Sequence, residues 1–492
     1  MDSTNQPMSS VPQVLLTSIR LEPNATSQIQ SNFVIPKNGS VLDSNSSLVW
    51  SVAWDGYNNT RGTAAPADQL CCLKMFSGGL NSIRRARMYV GGRLLFTNPD
   101  VALSAHIHKL STNPDHYEEV EDIKLGSAHG FNIAANGKVQ TQPGVSNQVT
   151  SKLNTRQVGS FSLNPPDDKS YECTLLLSEV FPALKHLQIP IKYLKDELRI
   201  EIDWETNFDE TILLAQETTN AITNFNVSVN NPLLYLDYLT YNEEVEAGLA
   251  MASANGITIP YREISLIQKQ LSAIPAGVHS QDMLLGFQGK LLMKIYVSHK
   301  FADGVGNDPR GAAYARFNGR CRSDMGQNFK YNLIINDLHI HDAKVDTSSQ
   351  QYSFLSMTAE NPIYAYPNSF DYNSRFATAP ANTDITDASF RLANGEPGAA
   401  AGNNSLTTQE CRDGVAGTQA FIGFDLSKYG TDGGLNPANA GYRVGSTPII
   451  LNIEQDGGAG GTRQNGVKQV DVLCESIKIL QIRNGMVDTT EA

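Results

Sequence analysis

The chain has 492 residues, 40% of them apolar and 18% charged, with 39 glycines and 22 prolines. These proportions exclude a disordered or collagen-like polymer. The length predicts two or three domains with enough buried surface to stand without a metal or disulfide. The formal charge of −12, from 38 basic and 50 acidic residues, argues against a dedicated duplex nucleic-acid binder, which carries a basic face.

The six cysteines (Cys71, Cys72, Cys173, Cys321, Cys411, Cys474) form no CxxC pair, so zinc-ribbon and redox motifs have no support. They are too sparse for a disulfide-dense secreted scaffold and are expected to be reduced thiols. The N-terminus lacks the basic and apolar regions of a signal peptide. No stretch approaches the roughly 18 apolar residues of a membrane span, so a soluble, intracellular product is expected.

Residues 1–13 are polar and predict a flexible arm. Beyond them the dominant signal is strict alternation. In 48–54, Leu48, Trp50, Val52 and Trp54 share one face. In 197–204, Leu198, Ile200, Ile202 and Trp204 oppose Glu197, Arg199, Glu201 and Asp203. Period two is the pattern of a half-buried antiparallel strand. The same reading covers 82–90, 233–241, 291–297, 331–341, 420–426, 447–453 and 467–482. The last changes phase near Cys474 to Ile477, which predicts a β-bulge or a bend between two strands.

Helical period is rare. Residues 242–256 predict one short helix, capped by Asn242, with glutamates at the positive end of its dipole and Asn255-Gly256 as the stop. It lies near the middle of the chain and marks a domain boundary. Residues 175–184 predict a second helix, with Pro182 inside it. Long loops rich in Gly, Asn, Asp and Ser, above all 97–150 and 360–419, separate the strands, and many short strands with long loops predict sandwiches or barrels. No internal sequence repeat links the halves.

The chemical motifs fail one by one. Gly137-Lys138 and Gly289-Lys290 lack the Ser/Thr of a phosphate-binding loop. Gly126-Ser127-Ala128-His129-Gly130 has its serine misplaced for a nucleophile elbow. His106-Ile107-His108 and His339-Ile340-His341 would each aim two rings one way on a strand, a pattern that invites a metal-dependent bicupin-like enzyme as the alternative reading. Both copies lack the glycine and glutamate of the cupin pattern. Arg84-Arg85-Ala86-Arg87 straddles a strand, Arg84 and Ala86 facing one way and Arg85 and Arg87 the other, and reads as a polar subunit contact. A glycan-binding β protein is a further alternative, without a sugar-binding motif. No catalytic, cofactor or metal residue is assigned.

Four segments resemble the double jelly-roll major capsid proteins of tailless icosahedral double-stranded DNA viruses, the lineage of polinton-like viruses, virophages and nucleocytoplasmic large DNA viruses. Asn32-Phe33-Val34-Ile35-Pro36-Lys37 through Leu42-Asp43-Ser44 is similar to an early "IPK-G-LDS" strand and turn. Ser82 through Val90-Gly91-Gly92 resembles a strand ending in a Gly-Gly turn. Phe181-Pro182-Ala183-Leu184 through Leu198-Arg199-Ile200-Glu201-Ile202 resembles an "LP…L…R-I-E-I" segment. Leu233 through Tyr238 followed by Glu243-Glu244 resembles the "L-x-V-D-Y…D-E" strand that closes a first barrel. The basic cluster that usually follows is replaced by Val245-Glu246-Ala247-Gly248.

The resemblance implies an all-β chain of two consecutive eight-stranded antiparallel jelly rolls joined by a short helix, with long loop insertions. The division expected is a flexible arm at 1–13, a first jelly roll at 14–241, a linker helix at 242–256, a second jelly roll at 257–487 and a tail at 488–492. It also implies a non-enzymatic subunit that forms a homotrimer, a pseudo-hexagonal capsomer tiling an icosahedral shell. Its implied partners are neighbouring capsomers and penton, minor capsid or cement proteins, with no specific nucleic-acid binding and no small-molecule substrate. The implied location is the virion, after synthesis in the host cytoplasm or a viral factory.

Overall fold

A computed structural model describes residues 14–55, 70–73, 78–110, 122–125, 132–133, 139–140, 170–185, 187–206, 212–215, 226–271, 277–301, 329–335, 338–339, 345–346, 422–427, 441–445, 448–456 and 468–491. The arm at 1–13, most of the two long loops and the glycine-rich tip after Asp456 lie outside these residues.

The first half contains strands β1 (Leu15–Leu21), β2 (Gln30–Ile35), β3 (Ser47–Asp55), β4 (Ile83–Val90), β5 (Arg93–Asn98), β6 (Ser170–Leu176), β7 (Leu198–Trp204) and β8 (Asn226–Thr240). The second half contains β9 (Ile257–Leu271), β10 (Val278–Leu285), β11 (Leu291–Phe301), β12 (Phe329–Ile335), β13 (Leu338–His339), β14 (Ile422–Asp425), β15 (Ile449–Asp456), β16 (Lys468–Arg483) and the added β17 (Met486–Glu491). Minor two- to four-residue strands flank them.

Pairing is antiparallel, and the order is the argument for the fold. The first half forms sheets β1-β8-β3-β6 and β2-β7-β4-β5, and the second forms β9-β16-β11-β14 and β10-β15-β12-β13. Adding eight to each label of the first pair gives the second pair. Each half is therefore the same two-sheet Greek-key roll, although the halves share no visible sequence repeat. Different side chains satisfy the same inward/outward alternation.

The alternation places the cores. Leu48, Trp50 and Val52 of β3 and Leu198, Ile200, Ile202 and Trp204 of β7 are all buried in the first core. The Trp54 side chain lies outside the described residues. The Trp50 and Trp204 rings sit 6.1 Å apart, tilted by 40°. Each indole N–H donates to a buried serine hydroxyl, Trp50 to Ser82 and Trp204 to Ser31, both at 2.8 Å, so neither tryptophan carries an unpaired polar atom into the core. The second core gathers Met283, Leu285, Ile295, Val297, Tyr331, Leu333, Leu451, Ile453, Val470 and Val472.

Four local expectations need correction. β16 is one unbroken strand in register with β9 from Lys468 to Ile482. The bulge lies in its other neighbour, where Met293 of β11 is the extra residue between the pairs Leu292↔Ser476 and Lys294↔Glu475. Residues 331–341 are not one strand, because Ile335 pairs back with Leu338. The helix expected at 175–184 is the end of β6, one helical turn at Leu177–Val180 and a 3-10 turn at Pro182–Lys185; the proline interrupts it as its missing N–H requires. Residues 488–491, expected as a tail, run in β17 and pair with β16.

Between the rolls lies α2 (Glu243–Asn255), which follows α1 (Val101–Leu110) in chain order. The Asn242 side chain accepts from the Val245 N–H at 3.1 Å, and Gly256 ends α2 with φ of 111°, a conformation open mainly to glycine. Among the described residues, no helix is long and apolar enough to cross a membrane.

Candidate functional site

Among the described residues, the candidate histidines and cysteines do not gather at one site. His106 and His108 lie in α1, not on a strand. Their side chains lie outside the described residues. The helix has its own start signal, since Asp100 Oδ1 accepts from the Leu103 N–H at 3.0 Å. His339 is on β13, its Nδ1 2.9 Å from the Asn332 side-chain nitrogen, and His341 lies outside the described residues. Among those residues, no group of three or more His, Cys, Asp or Glu is placed to hold a metal. Cys173 and Cys474 are buried thiols outside any disulfide, and burial pushes the Cys474 thiol well up, against a nucleophilic role.

The arginine run resolves differently from its sequence parity. Ile83 and Ala86 are both buried while Arg84 is exposed. The β4–β7 register explains this: Asp203 pairs with Arg85 but Trp204 with Ile83, leaving Arg84 as a bulge residue turned away from the core. Arg84 therefore does not share a face with Ala86.

Arg85 and Arg87 converge on Asp203 of the neighbouring strand. Arg85 Nε donates to Asp203 Oδ2 at 2.8 Å, Arg87 Nη2 to Oδ1 at 2.9 Å, and Gln30 Nε2 to Oδ1 at 3.0 Å. Glu201 extends the ladder to Arg87 at 3.3 Å and to Arg199 at 3.1 Å. Arg199 in turn stacks over Tyr89, 5.0 Å from the ring centre. Burial pushes the Asp203 carboxyl up, but the two arginines and Gln30 outweigh it and hold it below its ordinary value. A depressed carboxyl stabilises the fold above the unfolded-state value near 3.9, and the contribution is lost as pH falls through the lower folded value. Asp203→Asn is expected to cost about 1–2 kcal/mol at neutral pH. It should also flatten the stability loss below about pH 4, measured by urea unfolding across pH. An unchanged acid limb would show that the ladder is ornamental.

The densest arrangement is the seam between the rolls. β16 is about 50 Å long at strand rise, enough to serve both cores. Val470, Val472 and Cys474 belong to the second core, while Leu480 and Ile482 join the first. β9 follows the same path: Tyr261 lies in the first core, its ring edge-on to Phe96 of β5 at 4.9 Å. Ile264, Tyr296 and Leu473 close a smaller cluster with Leu103 and Ile107 of α1.

Polar contacts fix the same seam. The β16–β17 hairpin turns at Asn484-Gly485, both at positive φ (52° and 76°), the geometry that an Asn-Gly turn favours. Its tip is held on two sides: Asn484 N–H donates to Ser253 O of α2 at 2.9 Å, and Gly485 O accepts from Lys195 N–H at 2.8 Å. Arg93 of β5 donates to Val487 O and pairs with Asp488, both at 2.9 Å. In the first turn of α2, Glu246 receives Lys192 Nζ at 2.7 Å and a hydrogen bond from the Tyr193 hydroxyl. Burial and that bond push Tyr193 up to about 12. Burial raises Glu246, but Lys192 and Tyr193 outweigh it and keep the carboxyl below its usual range. The sequence reading missed this hairpin, although Asn484-Gly485 between two alternating runs was a signal for it.

Among the described residues, large apolar side chains are exposed at Val14, Leu15 and Leu16 at the start of β1, Val278 and Leu284 on edge strand β10, Met251 on α2, and singly at Ile29, Leu94, Tyr235 and Met486. The described residues thus form two barrels that share a seam, with apolar side chains exposed at edge strands β1 and β10.

Comparison with known proteins agrees at the level of fold. No family model matches, and no curated protein sequence matches. Solved structures do. The 3.5 Å structure of the Sputnik virophage superposes with a TM-score of 0.56 at 13% identity, covering 100% of this chain and 91% of that one. The Faustovirus major capsid protein gives 0.55 at 10% identity, covering 98% and 93%. The PBCV-1 virus capsid gives 0.51 at 10% identity, covering 98% and 97%. The chain has the double jelly-roll fold that these viral capsid proteins share, along nearly its whole length and nearly all of theirs.

Proposed function

We propose that this chain is a major capsid protein, a structural subunit that trimerises into a pseudo-hexagonal capsomer and tiles an icosahedral shell. The observation that carries the proposal is the repeated strand order. Two jelly rolls lie in tandem, and the likeness to virophage, Faustovirus and PBCV-1 capsid proteins runs through both. Three such subunits offer six similar barrels, so one gene product can present six near-equal sides to its neighbours.

The task is burial and fit, and it needs no catalyst. An assembly of this kind buries on the order of 2,000 Å² or more per contact, with apolar and aromatic cores, and the exposed leucines of β1 and β10 suit that use. A net charge of −12 keeps such a tile from adhering non-specifically to an enclosed genome. The partners on this reading are neighbouring capsomers and penton, minor capsid or cement proteins. The place of action is the virion, following synthesis in the host cytoplasm or a viral factory. Mass photometry at nanomolar concentration tests the subunit count. The expected particle has three times the 53.6 kDa chain mass, and monomers alone at every concentration would refute the proposal.

A further inference from the structure

The two barrels are built alike but not covered alike. β1 and β9 hold the same place in their rolls: each is the edge strand antiparallel to the last long strand of its barrel. β9 begins well outside its own core. Its Ile257 and Ile259 pack against the first-barrel cluster, Tyr261 lies within that cluster, and Ile264 reaches Leu103 and Ile107 of α1. The opening half of β9 is thus the piece of the second barrel that rides on the first.

β1 opens in the same sense, with Val14, Leu15 and Leu16. These three consecutive apolar residues are 48%, 64% and 56% exposed, while Ile19 and Leu21 further along are half-buried against the first core. One half of the strand packs its apolar side chains against the first barrel. The other half is apolar and, among the described residues, has no second barrel to ride on. Three successive exposed apolar side chains on an edge strand are an adhesive feature that soluble monomers avoid.

We propose that Val14, Leu15 and Leu16 dock on the second barrel of another copy of this chain, in the way the start of β9 docks on the first barrel within the chain. The proposal rests on the capsomer reading and names the surface that reading requires. Within one chain, the second barrel's edge strand covers the first barrel. Between chains, the first barrel's edge strand covers the second. The same junction then repeats head to tail around the particle, a heterologous contact that closes when the rotation allows. The occupant is a second copy because the chain carries the matching junction internally, and a junction repeated at every barrel needs no further partner.

The test compares the parent with a Leu15→Asp/Leu16→Asp double variant, following particle mass on dilution alongside thermal unfolding. The variant should keep a folded chain and lose association about 100-fold or more, the effect of leaving two leucines without their burial. A trimer as tight as the parent's would overturn the proposal and leave the capsomer reading standing. A parent that is monomeric throughout would overturn both. Should the double variant fail to fold, a photo-crosslinking amino acid in place of Leu16 decides the matter, using isotope-labelled and unlabelled chains mixed before assembly. Cross-links from position 16 to peptides within 257–491 of a different chain are expected. Cross-links confined to the first half, or none between chains, would contradict the proposal.

Discussion

Replacing Trp50 with alanine is expected to destabilise the first barrel by about 3–5 kcal/mol, the range for deleting a fully buried aromatic. Trp50 has no exposed surface and stacks near Trp204 between the two sheets. Its loss leaves a cavity facing a second large ring that has nowhere to move. It also strips the Ser82 hydroxyl of its indole donor, although Ser82 keeps its own bond to Gly79 O at 2.6 Å. Domains of ordinary stability hold about 5–15 kcal/mol in reserve, so the variant should unfold at markedly lower urea concentration. Trp50→Phe should recover most of the loss, because volume contributes more than the single hydrogen bond. A cost below about 1 kcal/mol, typical of surface sites, would mean that β3 does not face the core.

Replacing Gly485 with alanine is expected to loosen the seam. The φ of 76° sits in the left-handed region, where a Cβ alone costs roughly 1–2 kcal/mol. The added carbon would also lie 2.8 Å from both Lys195 N and Tyr193 O. Both are backbone atoms, so relief requires moving the hairpin or the segment beneath it. That movement pulls on the Lys195-to-Gly485 hydrogen bond and the Asn484-to-Ser253 bond together. The total should exceed about 2 kcal/mol, combining backbone strain with a weakened hydrogen bond. Hydrogen exchange should locate it, with protection falling at 484–491 and 193–195 while the centre of the second core stays protected. Unchanged exchange across the seam would show that the hairpin tip does not hold the barrels together.

Much of this fold was legible because burial writes itself into alternation. Leu198, Ile200, Ile202 and Trp204 were readable as one face and are all buried. The helix at Glu243–Asn255 was readable because its cap, first turn and stop agree. The failures arose where a short pattern fits two geometries. His106-Ile107-His108 reads equally well on either element until Asp100 is recognised as a cap. Residues 331–341 keep one apparent parity through a reversal, so only the pairing of Ile335 with Leu338 exposes the turn. The bulges at Arg84 and Met293 are properties of registers between distant strands, and a local window cannot carry them.

The seam was the least legible part. Tyr261, Leu480 and Ile482 fall within the span expected as the second jelly roll, yet they join the first core. Alternation says that a side chain is buried and not which barrel buries it. The convergence of Arg85 and Arg87 on Asp203 was hidden for the same reason, since 116 to 118 residues separate the partners. The repeat itself was invisible in sequence because what recurs is the order of pairing.

Negative-stain imaging of the purified full-length chain tests the central claim most directly. The account expects particles with a hexagonal outline and six lobes, two from each of three chains. Single two-lobed particles at every concentration, with no closed six-lobed form, would contradict it.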